Sequence, residues 1–108
     1  MQIDPEKAIN YVIEQSPKFA EAKANRRYLE EYKKTLLAQL FQEAPSGTVA
    51  DREAWARAHK SYQLVLEGLK DAVKVESELE WRMKAALTKV EIWRSLEASH
   101  RFIDQVTK

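Results

Sequence analysis

Two residues near the C-terminus have the spacing of metal ligands. Glu97 and His100 lie three positions apart, the spacing at which helices of di-iron bundle proteins present a carboxylate and an imidazole to one metal. Such a site also needs carboxylates from facing helices, which Glu30 or Glu31 could supply from a second copy. The sequence holds one other histidine, His59, and no cysteine. Because an acid three residues before a histidine is common by chance, we expect no metal site and no cofactor.

Two acidic residues, Glu76 and Glu80, interrupt an otherwise apolar helical pattern. Carboxylates one helical turn apart can raise the pKa of one of them, as acid–base catalysis often requires. The chain has no glycine-rich phosphate loop, no zinc-ligand spacing and no Ser-His-Asp context around them. Polar residues inside an apolar seam more often fix the register between helices. We therefore interpret the two glutamates as register-fixing and predict no catalytic residues and no enzymatic activity.

Basic residues are the next candidates, because Arg and Lys next to aromatic residues can bind nucleic-acid backbone. The residues that could form such a basic groove are Lys23, Arg26, Arg27, Arg82, Arg94 and Arg101. The competing interpretation is that these cations are solvated and paired with acids such as Glu78, Glu91 and Glu97. The formal net charge of +1 favours pairing, since a nucleic-acid binder usually carries a clear excess of positive charge. Direct DNA binding is kept as the alternative function.

The elements that carry these residues are predicted to be helices throughout. The 108 residues include only two glycines and three prolines, which leaves few places for turns, and strong helix formers dominate. Asp4-Pro5 is a helix start, and Ser16-Pro17 predicts an end because the residue before a proline disfavours the helical region. We predict an all-α single domain, residues 1–108, that starts with a short helix over 4–16 and a second helix over 17–44.

A tight turn and a long third helix follow. Pro45-Ser46-Gly47 is the only clear loop, and Thr48 with Asp51 has the spacing of a capping box. The third helix is predicted over residues 48–99 and could extend to 106. Because the turn is short, the second and third helices should form a long antiparallel, coiled-coil-like helical hairpin.

The third helix carries a seam of apolar residues that recur every seven positions. Its columns contain Trp55, Tyr62, Leu69, Met83 and Val90, then Ala58, Val65, Ala72, Leu79, Ala86 and Trp93, and beside them Leu66, Val73 and Leu87. A helix of about 50 residues is roughly 75 Å long, nearly twice the second helix, so residues 79–93 of the seam should remain uncovered. An uncovered seam predicts a homodimer, a dimeric bundle. The alternative is a break near Ser61 or Gly68 that folds the chain into a compact monomeric bundle.

Trp81 lies out of phase with the seam. It falls on the side of the third helix that should face solvent, and tryptophan and arginine are enriched at binding hot spots. One interpretation is that the N-terminal helix or a second subunit covers this ring, and the other is that it contacts a partner. The candidate partner-binding residues are the two Trp-Arg pairs, Trp81, Arg82, Trp93 and Arg94.

Composition limits the classes of function. The 32% charged residues nearly balance, which argues against a DNA mimic, and the 44% hydrophobic content is too high for a disordered chain. We expect a cytoplasmic protein, because the N-terminus lacks the features of a secretory signal and no apolar run approaches the length of a membrane span.

Several stretches resemble a group of short helical proteins of tailed bacteriophages and prophages. The stretches are residues 80–86 and 89–95 with Ala98 and Arg101, and residues 54–62 and 67–69. The resemblance covers about residues 28–101, and residues 1–20 depart from it. These proteins are often encoded among early genes near recombination and replication functions. The resemblance implies a phage accessory protein in a bacterial host cell that contacts a recombination, replication or host-defence factor, without catalytic residues.

Overall fold

The computed structural model describes residues 2–107 and is helical over almost all of them. Helix α1 spans Pro5–Glu43, α2 spans Val49–Ala58 and α3 spans Lys60–Thr107. The all-helical fold class is therefore confirmed. The residues pack as two compact units, a terminal unit of residues 2–20 with 77–107 and a central unit of residues 21–76.

Helix α1 corrects the expectation of two helices separated at Ser16-Pro17. The predicted helices over 4–16 and 17–44 are one 39-residue helix with Pro17 in its interior. Pro17 lacks the N–H that would bond the carbonyl of Ile13, but both residues are exposed, so water can satisfy that carbonyl. Ser16 Oγ donates to the carbonyl of Val12 at 2.6 Å in the same turn. The expected start is correct, since Lys7 N–H donates to the Asp4 side chain at 3.1 Å.

The turn after α1 confirms the predicted capping box. The backbone N–H of Asp51 donates to Thr48 Oγ1 at 3.2 Å, and the backbone N–H of Thr48 donates to Asp51 Oδ2 at 3.1 Å. Gly47 precedes this box with a φ of +122°, a conformation that glycine adopts readily and other residues rarely do.

The predicted third helix is interrupted at His59, so α2 and α3 replace the single helix over 48–99. His59 is extended, with φ −66° and ψ 140°. Its ring Nδ1 accepts from the N–H of Ser61 at 3.1 Å, and the side-chain amide of Gln63 donates to the carbonyl of Arg57 at 2.7 Å. These two bonds satisfy backbone groups that the break leaves without helical partners. The break that the alternative places near Ser61 therefore occurs at His59, and no break occurs at Gly68. The compact monomeric bundle of that alternative remains a prediction.

The core of the central unit joins all three helices. Leu36 and Leu40 of α1 pack with Ala56 of α2 and Tyr62 of α3, and each of these four residues is buried. Around them lie the half-buried side chains of Leu37, Trp55, Val65 and Leu66. Seam residues therefore form the core here, as the seven-residue pattern predicts.

The terminal unit corrects the expectation that residues 79–93 of the seam are uncovered. Ala86 is buried, and Leu79, Met83, Val90 and Trp93 are half-buried, whereas Leu87 is 50% exposed as expected. The reason is the continuity of α1 through Pro17, because the N-terminal part of this helix belongs to the same unit as residues 77–107. The homodimer, the coiled-coil-like hairpin and the single domain remain predictions.

Candidate protein-binding surface

The most prominent exposed feature of the terminal unit is a stripe of residues along α3. Trp81, Ile92 and Ile103 follow one another at intervals of eleven and are 68%, 40% and 55% exposed. Eleven residues are close to three helical turns, so these side chains lie in a nearly straight line. The positions on this line are all exposed, and together we call them the outer stripe: Trp81, Ala85, Thr88, Ile92, Leu96, Ser99, Ile103 and Val106.

The outer stripe is separate from the apolar seam. Except for Leu87, which is 50% exposed, the apolar seam positions of the terminal unit are half-buried or buried, and at 100° per residue they centre about 140° around the helix from the outer stripe. Helix α3 therefore has two apolar faces in this unit, one covered and one exposed. Six of the eight residues of the outer stripe are apolar, with Thr88 and Ser99 between them, and a concentration of exposed apolar residues is typical of protein–protein interfaces.

Trp81 begins the outer stripe and is not covered by the N-terminal part of α1. Lys84 Nζ lies 4.9 Å from the centroid of the indole ring, within the range of a cation–π contact. The same ammonium lies 3.0 Å from Glu80 Oε1. One face of the ring is therefore held by a neighbouring cation, while 68% of the residue stays accessible. Of the two interpretations of Trp81, cover by the N-terminal helix is wrong, and cover by a second subunit remains open.

Arg82 lies on a groove that borders the outer stripe. The groove has a volume of about 800 Å³, and Arg82 lines it together with Lys7, Tyr11, Ala85 and Lys89. Ala85 belongs to both the groove and the outer stripe. Three cations and one carboxylate, that of Asp4, line the groove, so it places net positive charge along one edge of the stripe.

The two Trp-Arg pairs are split between different faces of α3. Trp93 is half-buried on the seam side, eleven residues after Arg82. Arg94 is exposed, with its guanidinium 3.7 Å from Glu91 Oε1, and is not on the outer stripe. Of the four predicted partner-binding residues, Trp81 and Arg82 lie on or beside the exposed stripe, and Trp93 and Arg94 do not.

The basic residues predicted for DNA are divided between the two units. Arg82, Arg94 and Arg101 belong to the terminal unit, where all three are exposed. In the central unit Arg27 is exposed and Lys23 is half-buried.

Arg26 forms an ion pair within the central unit. Its Nε and Nη2 donate to Glu76 Oε2 and Oε1 at 2.6 and 2.9 Å, and its Nη1 donates to Glu30 at 3.1 Å. The two-point geometry is the strongest arrangement available to an arginine and a carboxylate. Binding of Arg26 to a phosphate would therefore require that this pair be broken first.

Glu76 and Glu80 have different environments. Glu76 is buried and joins α3 to α1 through Arg26, as expected of a polar residue that fixes register. The hydrogen bonds from Arg26 lower the pKa of Glu76, against the opposing effect of burial, with smaller contributions from the charges of Lys23 and Arg27. Glu80 is only half-buried and pairs with Lys84.

The lowered pKa of Glu76 predicts a pH dependence of stability. A carboxyl whose pKa is lower in the folded state stabilises the fold above its ordinary value of 4.5, and loses this contribution as pH falls through the folded-state pKa. We expect Glu76→Gln to be less stable than the wild type near neutral pH, and the difference to shrink in acid. Urea unfolding of both proteins at several pH values between about 7 and 3 measures this difference.

Glu31→Gln is the matched control for this titration, because Glu31 is an exposed α1 glutamate whose contact is with Lys34, 3.2 Å away at the surface. We expect this variant to follow the wild type at every pH. A difference between wild type and Glu76→Gln that stays constant from neutral pH to acid would contradict the prediction.

Sequence reasoning identified Trp81 but missed the rest of the outer stripe. The signal was available, because Trp81, Ile92 and Ile103 repeat at eleven residues. It was hidden by the seven-residue repeat of the seam on the same helix. Lys7 and Lys89 were also missed, and no local signal could have found them, since they meet only when α1 and α3 pack in the terminal unit.

Residues 2–107 contain neither a cluster of metal ligands nor a membrane-spanning helix. Over this range no group of three or more His, Cys, Asp or Glu side chains could hold a metal, and Glu97 and His100 do not meet a third such ligand. None of the three helices has the length and apolar character of a membrane span.

Comparison of the sequence with protein-family models and curated proteins, and of the chain with solved structures, finds no match.

Proposed function

We propose that this protein is a non-enzymatic accessory protein that acts by binding another protein through the outer stripe of α3. The observation that carries the proposal is the exposed stripe from Trp81 to Val106. The resemblance to bacteriophage and prophage proteins supports a partner among DNA recombination, replication or host-defence factors of a bacterial host cell.

The chemistry of the surface fits a protein partner. Tryptophan and arginine contribute most to interface hot spots, and Trp81 and Arg82 are adjacent here, one on the stripe and one on its basic edge. Burying an aromatic side chain of this size removes 150–250 Å² or so from water. The partner surface that this pattern fits is apolar with an acidic margin.

We also propose that the helices of the central unit form an antiparallel hairpin. Two pairs support it: near the turn Leu36 and Leu40 pack with Tyr62, and further from the turn Arg26 pairs with Glu76. Residues earlier in α1 therefore contact residues later in α3, which is the order expected for antiparallel helices.

Replacement of Trp81 by alanine tests the proposed function. We expect a partner that is captured by the immobilised wild-type protein from cells and identified by mass spectrometry to bind Trp81→Ala at least tenfold more weakly, since hot-spot truncations cost about 2 kcal/mol or more. Titration of the purified partner by isothermal calorimetry measures the loss. Leu64→Ala is the control, because Leu64 is an apolar residue of the central unit that is also exposed, 56% against 68% for Trp81.

Equal binding of Trp81→Ala and wild type, with unchanged helicity and unfolding midpoint, would contradict the proposal.

The alternative function, direct DNA binding, is favoured by the cations of the groove beside Arg82. It predicts retention of DNA in a gel-shift experiment at low salt, with affinity that falls steeply as salt rises and falls again in Arg82→Ala. We expect no such retention.

A further inference from the structure

We infer that the groove between α1 and α3 in the terminal unit is a binding site for a small organic phosphate, a phosphate monoester of the size of a nucleoside monophosphate. The inference goes beyond the proposed function and does not rest on it. Of the residues that line the groove, Arg82 and Ala85 lie beside or on the outer stripe, whereas Lys7 and Tyr11 belong to α1 and do not.

Two rows of residues with the same spacing form the groove. The rows are Asp4, Lys7, Ala8 and Tyr11 on α1, and Arg82, Ala85, Ala86 and Lys89 on α3. Residues three, four and seven positions apart lie on one face of a helix, so each row covers two turns, or about 10.5 Å. Ala8 and Ala86 are buried, and because their side chains are short they leave space between the longer side chains around them.

The cations of the groove are not neutralised by neighbouring acids. Over residues 2–107, Lys7, Arg82 and Lys89 form no ion pair. Glu78 lies one helical turn before Arg82, at the spacing of a surface ion pair, yet the two do not pair and Arg82 lines the groove. The carboxylate of Asp4 also lines the groove, and its Oδ1 accepts the N–H of Lys7 at the start of α1. Three cations and one carboxylate give the groove a net charge of +2.

A phosphate monoester matches this charge and these donors. At neutral pH it carries about two negative charges and three acceptor oxygens. The guanidinium of Arg82 can donate two parallel hydrogen bonds to a phosphate, and lysine ammonium groups bind phosphate as point charges. A single carboxylate or a phosphate diester carries only one negative charge. The charge of the groove therefore favours a monoester over the backbone of DNA, in which each phosphate is a diester.

The size of the groove indicates an organic group beside the phosphate. Its volume of about 800 Å³ is much larger than a phosphate and lies within the range of small-molecule sites, about 300–1,000 Å³. Ile3, the three alanines and the half-buried ring of Tyr11 supply the apolar part of the lining. A tyrosine ring offers a flat surface on which a nucleobase can stack. Adenosine monophosphate (AMP) is therefore a suitable probe.

Titration with AMP, followed by two-dimensional NMR of the isotope-labelled chain at constant ionic strength, tests the inference. We expect saturable shifts of the amide signals of residues 3–11 and 82–89. Adenosine, which lacks the phosphate, should bind about tenfold more weakly, and cyclic AMP, a diester with one charge, should also bind more weakly than AMP. No saturable shift with about 5 mM AMP, or equal affinity for AMP and either comparison compound, would overturn the inference. Inorganic phosphate that binds as tightly as AMP would overturn the assignment of an organic group.

Substitution of the groove lysines is the second measurement. Lys7→Gln and Lys89→Gln should each weaken AMP binding about tenfold, because each removes a charge-assisted hydrogen bond to the phosphate. Lys18→Gln is the matched control, since Lys18 is also an exposed lysine of α1 in the terminal unit and does not line the groove. Equal affinity of the three variants for AMP would overturn the inference.

The failures of the two proposals are distinguishable, because Lys7 lies in the groove and Trp81 lies on the outer stripe. If Lys7→Gln loses AMP but Trp81→Ala binds the purified partner as the wild type does, the inference stands and the proposed function fails. If AMP causes no saturable shift but Trp81→Ala loses the purified partner, the proposed function stands and the inference fails.

Discussion

Replacement of Leu40 by alanine is expected to lower the free energy of unfolding by about 3 kcal/mol. Leu40 is 3% exposed, and its side chain fills the space between Leu36, Ala56 and Tyr62 in the central unit. Truncation removes the transfer free energy of the deleted carbon atoms and leaves a cavity, because helices held by the remaining contacts relax only in part. Ala56 is completely buried and too small to fill the gap.

Urea unfolding followed by far-ultraviolet circular dichroism measures this change. Leu64→Ala is the matched control, since it deletes the same atoms from an exposed position of the same unit and should cost no more than about 0.5 kcal/mol. Equal destabilisation of the two variants would show that the Leu36–Tyr62 cluster is not the core of the central unit. A change in the slope of the transition would instead indicate a change in the unfolded state or loss of two-state behaviour.

Local signals in the sequence were sufficient wherever the structure depends on a few neighbouring residues. The capping box of Thr48 and Asp51 and the helix start at Asp4 need only a side-chain acceptor at the right distance from a free N–H, so spacing alone predicts them. The seven-residue repeat likewise predicted Tyr62 as a core residue.

The predicted helix boundaries are wrong where the local helix preference of a residue competes with tertiary packing or with a side-chain hydrogen bond. Pro17 disfavours a helix locally, but the helix continues because its cost is limited at an exposed position and the N-terminal part of α1 gains contacts in the terminal unit. His59 has no strong local signal to end a helix. Its ring accepts from Ser61 N–H, and because only one residue is extended, the apolar phase from Trp55 to Tyr62 is kept.

Of the residues in the outer stripe, only Trp81 could be predicted from the sequence as a candidate contact. Trp81 was identified because it contradicts the seam, whereas Ile92, Leu96 and Ile103 could each be assigned to a helix core by composition alone. Whether an apolar residue is covered depends on where α1 lies, and that depended on the continuity of α1 through Pro17. A single local error therefore led to the expectation that residues 79–93 of the seam are uncovered.

The two glycines of the chain are expected to respond in opposite directions to alanine. Gly68 lies in the interior of α3, and a Cβ added there would meet no atom within 4 Å. Gly68→Ala should therefore raise the free energy of unfolding by about 0.5–1 kcal/mol, since alanine has the higher helix propensity and loses less backbone entropy on folding.

Gly47→Ala is expected to lower the free energy of unfolding by about 2 to 3 kcal/mol. At a φ of +122° an alanine is strained, and its Cβ would lie 2.8 Å from Cβ of Asp51 and 2.9 Å from Oδ2 of that residue. Asp51 Oδ2 accepts the N–H of Thr48, so relief of the clash requires loss of half the capping box of α2. Urea midpoints of the wild type and both alanine variants measure the two effects. Because the substitutions add the same methyl group, a destabilisation by Gly68→Ala equal to that by Gly47→Ala would contradict the assignment of the Gly47 effect to backbone strain and to the cap.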